Sequence, residues 1–177
     1  MFTGLMYKGT AAVIIVCAVA SAAVMAAGII ALTGDADEHE FVGKYAVYSA
    51  SGAINGTLRI EITDADEAAD RIMYLLSWKI SVGWITYSSS EVIETQFTDD
   101  PLSGGYLGDL GDPVRTETLS TVKGQKDVDV YLMEDVELMD QTADVTVYIG
   151  KSDGIVYRIT ANAGGGEISF NLLETNV

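Results

Sequence analysis

RIMYLLSWKISVGW, residues 71–84, puts Ile72, Tyr74, Leu76, Trp78, Ile80, Val82 and Trp84 on one parity and Ser77, Lys79 and Ser81 on the other. A helix over the same stretch would need apolar residues near positions 79 and 83, where Lys79 and Gly83 stand. Successive side chains of a strand point to opposite sides. The period of two therefore predicts a long strand with one buried face, bent or ended near Gly83.

The same rule extends outward in both directions. Leu58, Ile60 and Ile62 alternate with Arg59, Glu61 and Thr63. Val128, Val130 and Leu132 alternate with Asp129 and Tyr131, and Val145, Val147 and Ile149 with Thr146 and Tyr148. Ile155, Tyr157 and Ile159 alternate with Val156, Arg158 and Thr160, and Ile168, Phe170 and Leu172 with Ser169 and Asn171. One apolar and one polar row per strand is the antiparallel pattern. Turn chemistry separates the runs: Asn55-Gly56 suits a two-residue hairpin loop, and Lys123-Gly124, Lys151-Ser152-Asp153-Gly154 and Ala163-Gly164-Gly165-Gly166 follow. Two stretches read as irregular, Thr98–Val114 and Glu134–Ala143.

The predicted fold is all-β: an antiparallel meander of about eight or nine strands, curved into a half-barrel, barrel or sandwich so that its apolar face is covered. No long amphipathic helix is on hand to cover it. Val128, Val130, Val145, Val147, Ile155, Tyr157, Ile168 and Phe170 are expected on one continuous apolar surface, filled in by the strands around Ile72–Val82. Trp78 is expected in that core.

The chain before the strands has a different character. Residues 11–32, AAVIIVCAVASAAVMAAGIIAL, carry no charge. As a helix these 22 residues reach about 33 Å, against a hydrocarbon core of about 30 Å. Lys8 precedes the run, and Asp35, Asp37, Glu38 and Glu40 follow it. That asymmetry predicts a single-pass transmembrane helix with its N-terminus inside and the C-terminal domain outside the cell membrane. The expected organisation is a cytoplasmic N-terminus (1–10), a transmembrane helix (11–32), an acidic stalk (33–40) and an extracytoplasmic β domain (41–177). Ala20-Ser21-Ala22 offers a signal-peptidase site, but cleavage there would leave the apolar Val24–Leu32 as a new terminus.

A net charge of −16 in 177 residues leaves no basic face for phosphate, so nucleic acid is not an expected partner. The single cysteine, Cys17, lies in the apolar run, and the single histidine, His39, precedes the domain. A Ser-His-Asp triad, thiol chemistry and a histidine-rich zinc site are thereby removed from the domain. Gly150-Lys151-Ser152 lacks the earlier glycine of a phosphate loop, since Val145 stands there. Asp64, Asp66, Glu67 and Asp70 are dense enough to suggest calcium, but Ala68 and Ala69 occupy positions where a loop of that kind needs an oxygen ligand and a glycine. No cofactor and no metal is expected, and no catalytic set is identified. The aromatic residues Tyr48, Trp84, Tyr106, Tyr131 and Tyr148 are the candidate ligand or partner surface, with cross-strand packing as the alternative role.

The C-terminal third, VTVYIGKSDGIVYRITANAGGGEISFNLLE (145–174), resembles the closing strands of LolA/LolB-like lipoprotein carriers, and KDVDVYLMED (126–135) is similar to the strand before them. The whole is also similar to uncharacterised archaeal proteins with one transmembrane helix and an outer β domain. The first resemblance implies a curved sheet with a concave apolar face. The functional expectation is a membrane-anchored, non-catalytic binding or interaction module meeting an unknown protein. The alternatives are a carrier or sensor of an apolar, lipid-like ligand, and a calcium-assisted adhesion module.

Overall fold

The computed structural model describes residues 41–95, 110, 112–138, 141–163 and 166–176. The predicted transmembrane helix and stalk lie outside the described residues, as does Tyr106. Among the described residues no helix is long and apolar enough to cross a membrane.

Among the described residues nine strands form one open antiparallel sheet: β1 (Tyr45–Gly52), β2 (Asn55–Asp66), β3 (Arg71–Val82), β4 (Ile85–Thr95), β5 (Arg115–Thr121), β6 (Gly124–Leu138), β7 (Gln141–Gly150), β8 (Val156–Ala163) and β9 (Gly166–Thr175). Their order across the sheet is β4-β3-β2-β1-β9-β8-β7-β6-β5. A simple meander would put β4 beside β5. Instead β1 pairs with β9 in the middle, and β4 and β5 stand at opposite edges. Residues 96–114 have to bridge those edges. Eight gaps of ~4.8 Å make a flat sheet about 38 Å wide, within the about 63 Å reach of a 19-residue chain. The long irregular stretch thus has a topological reason for its length.

Register assigns each side chain to a face, because directly opposed residues share one. One cross-sheet row runs Tyr131–Val147–Ile159–Phe170–Ala50–Gly56–Ile80–Tyr87, from β6 to β4. The other face carries Arg115–Val130–Tyr148–Arg158–Asn171–Ser49–Thr57–Lys79–Ser88. The first row crosses the main core, where Tyr48, Leu58, Ile60, Ile62, Tyr74 and Leu76 are all buried. Buried residues come from eight strands; β4 supplies none among its described side chains.

Three sequence expectations need correction. Val128 and Val130 are buried, but on the opposite face from Val145 and Val147, so the expected continuous surface is split. The cause is a bulge between Met133 and Val136. Asp135 there takes φ 53° and donates its N–H to Asp144 Oδ1. One extra residue in a strand turns every later side chain to the other side. The irregular stretch Glu134–Ala143 is accordingly the bulged end of β6, its hairpin and the start of β7. Second, the β1–β2 connection is Ala53–Ile54, and Asn55-Gly56 already belongs to β2. Gly56 is required because a Cβ would run into the Lys79 carbonyl oxygen of the neighbouring strand. Third, Trp78 is only half-buried, beside the open β4 edge, and Trp84 leaves the strand altogether: Gly83-Trp84 is the turn between β3 and β4.

Candidate functional site

Of the five aromatic residues singled out from sequence, the four that are described, Tyr48, Trp84, Tyr131 and Tyr148, do not form one surface. Tyr48 is 1% exposed in the core, where its hydroxyl donates to the Val156 carbonyl at 3.2 Å and burial pushes its pKa up. Tyr131 and Tyr148 lie on neighbouring strands but opposite faces, half-buried and buried respectively. Only Trp84 stands free, at 89% exposure.

Trp84 begins an open part of the described structure. Behind it runs β4, ITYSSSEVIET, paired among the described residues with β3 on one side only. Ile85 (40%), Tyr87 (37%) and Val92 (53%) are exposed along it. Ile85 and Tyr87 share the core-side row with Ile80 and Val82, while Val92 points to the other face. Natural edge strands are usually blunted by charged side chains, proline or a bulge. β4 has no proline or bulge over eleven residues, its register with β3 is unbroken, and its only charges, Glu91 and Glu94, stand in its second half, away from Trp84.

A second feature lies on the face opposite the main core. The β5–β6 end of the sheet comes back over β8, β9 and β1, leaving a cleft of about 310 Å³ between Leu119 and Val122 on one side and Arg158, Asn171 and Ser49 on the other. Tyr157 floors it. A shift in the β7–β8 ladder at Tyr148/Ile149 inserts Tyr157, and its ring packs against Gly150, where no Cβ would fit. Arg158 Nε donates to Asn171 Oδ1 at 2.6 Å, and the guanidinium lies 5.5 Å from the Tyr148 ring centroid. Asn171 is itself oriented by donating to Ser169 Oγ at 3.2 Å.

Beside the cleft, Asp153 Oδ2 accepts from Lys126 Nζ and from the Tyr157 hydroxyl, both at 2.8 Å, and Asp153 Oδ1 accepts from the Ile155 N–H. Burial pushes the Asp153 carboxyl up, but Lys126, Tyr157 and the Ile155 N–H together outweigh it and hold the group below its ordinary range. Burial and the Asp153 hydrogen bond push Tyr157 the other way, above its usual value. A depressed carboxylate stabilises the fold fully above its unfolded pKa of about 3.9, and that contribution is lost as pH falls toward the folded value. Asp153→Asn should therefore cost about 1–2 kcal/mol at neutral pH, and the gap to wild type should narrow below about pH 4. Urea midpoints measured from pH 7 down to pH 3 test this; a gap that widens with acid would contradict it.

Among the described residues, no group of three or more histidine, cysteine, aspartate or glutamate side chains is placed to hold a metal ion. Sequence reasoning missed both the β4 edge and the cleft. β4 has little apolar alternation to detect, and the cleft depends on strands far apart in sequence.

No protein-family model matches the chain, and no curated protein matches it. Among solved structures, a hypothetical protein of Chlamydia trachomatis is similar at a TM-score of 0.43 and 9% identity, over 76% of this chain and 87% of that one.

Proposed function

We propose that the protein is a single-pass membrane-anchored interaction module, with its N-terminus inside and its β domain outside the cell. The domain would take an extended segment of a partner protein along β4. The uncharged span 11–32, with lysine before and acids after, supports the anchor and its direction. The β4 edge, which no described strand covers, carries the interaction reading. Its outer backbone donors and acceptors have no ladder partner among the described residues and can add a strand, and Tyr87, Val92 and Trp84 offer alternate apolar contacts for that strand's side chains. The domain starts at the end of the sheet where Tyr45 N–H binds Asn176, whereas the Gly83-Trp84 turn is at the other end of β3. Tyr45 is level with Leu75 across β2, so at ~3.4 Å per residue the nine residues to Trp84 hold it about 30 Å from the anchored end. That distance suits contact with a second protein better than contact with the anchoring bilayer. A non-catalytic role is part of the same reading.

One engineered thiol tests location and contact together, since Cys17 is the only native cysteine. Ser90→Cys on β4 should react in intact cells with a membrane-impermeant maleimide bearing a photocrosslinker, and illumination should capture a protein. Trp84→Ala with Val92→Lys should abolish capture but leave labelling intact and change stability by less than about 0.5 kcal/mol, as both side chains are exposed. Labelling only after lysis would reverse the orientation. Labelling without capture would remove the partner.

A further inference from the structure

Arg158 is placed unlike the other arginines of this chain. The sequence holds 26 acidic and 10 basic residues, so an arginine is seldom far from a carboxylate. Arg59 pairs with Glu61, Arg71 with Asp64 and Arg115 with Glu117, at 2.7–2.9 Å. Arg158 has no acidic partner among the described residues; its Nε is taken by the neutral Asn171, and an aromatic ring lies beside its plane. Both contacts orient the guanidinium without neutralising it, and Asn171 is preset to accept by its own bond to Ser169.

This oriented charge lines a cleft whose remaining walls are of two kinds. Leu119 is buried apolar surface, Val122 extends its side from the β5–β6 turn, and the half-exposed Leu173, set out of register with β1, adds apolar surface from β9. Ser49 and Ser120 also line the cleft; Ser49 Oγ donates to the Asn171 carbonyl, and Ser120 Oγ accepts from Gln125 Nε2. A guanidinium offers paired N–H donors that match the two oxygens of a carboxylate. The cleft, about 310 Å³, is at the small end of ligand sites, which limits the ligand to a compact molecule.

We infer that this cleft is a binding site for a small apolar monocarboxylate, its carboxylate on Arg158 and its hydrocarbon body against Leu119, Val122 and Leu173. The site is independent of the β4 edge, which belongs to the far side of the sheet. An acidic protein repels anions at long range, so binding depends on the single cation being unpaired and held ready. That dependence gives a sharp discrimination between ligands of one shape and opposite charge.

Calorimetric titration of the full-length chain in lipid nanodiscs, with hexanoate and with hexylamine as probes and empty nanodiscs subtracted, tests the site. Hexanoate should bind saturably and hexylamine should not. Acetate, with the charge but no body, should bind at least tenfold more weakly than hexanoate. Arg158→Gln should lower hexanoate affinity at least tenfold, while Lys79→Gln, an exposed cation on the same face, should leave it unchanged. Val122→Trp alters an exposed turn residue and fills the cleft with Arg158 intact, so it should also abolish binding even where Arg158→Gln does not fold. Equal binding of the two probes, retained affinity in Val122→Trp, or no saturable hexanoate binding at millimolar concentration would overturn the assignment.

Discussion

Phe170→Ala is expected to destabilise the domain by about 3–5 kcal/mol, the range for a fully buried large aromatic truncated to a methyl. Phe170 is 1% exposed in β9, between Ile159 of β8 and Ala50 of β1 on the core-side row. Ala50 and Gly56 stand next to each other along that row. The ring therefore fills space that two small neighbours leave, and a single methyl on Ala50 and none on Gly56 cannot reach in to close a cavity. The measurement is a urea unfolding curve with the slope compared as well as the midpoint, since an altered slope would report a change of unfolded state instead. A loss under about 1 kcal/mol would mean that the row is not packed as described.

Gly52→Ala should be comparably damaging, for a different reason. Gly52 ends β1 with φ 102°, and a Cβ there would meet the backbone carbonyl oxygen of Glu167 on β9. That carbonyl already accepts the Ala53 N–H at 3.0 Å, so it is not free to retreat. Unfavourable backbone conformation costs about 1–3 kcal/mol, and overpacking adds about 1–3 kcal/mol. Gly43 separates the two contributions. It has φ 84° but open space where its Cβ would be, so Gly43→Ala should show the conformational part alone. Equal losses at the two sites would show that β9 yields to the added methyl.

The strand content was legible because burial on one face leaves a period of two in the sequence. All six alternating runs fall in strands apart from Trp84 and Ile155, which lie just outside β3 and β8, and turns lie at Val122-Lys123, next to the expected Lys123-Gly124, and at Lys151–Gly154. What alternation does not carry is which strand sits beside which. The β1–β9 pairing depends on complementarity between segments at opposite ends of the domain, and no local pattern announces it. Faces were lost at the bulge for a related reason. Glu134 and Asp135 interrupt the apolar run and read as a loop, yet they are one inserted residue in a continuing ladder. Of the candidate site, Trp84 was visible as a candidate surface aromatic but was put on the apolar parity of β3, because parity was carried two residues past the end of that strand at Val82. Arg158 gave no signal, since its significance rests on an acid that is not beside it.

The seam between β1 and β9 also sets a clock. Ser49 and the Asn171 carbonyl it reaches are 122 residues apart. At ~5–20 residues per second of synthesis, about 6–24 s pass between the appearance of the two strands. Over that interval β1 can pair with β2, but the backbone groups along its other side have no cognate strand and are open to pairing with a neighbouring nascent chain. Crowded ribosomes on one message would bring such chains together, so yield of the folded protein should fall with expression rate more steeply than its final stability would suggest. Slowed initiation, or an export partner that shields β1 until β9 emerges, would recover it.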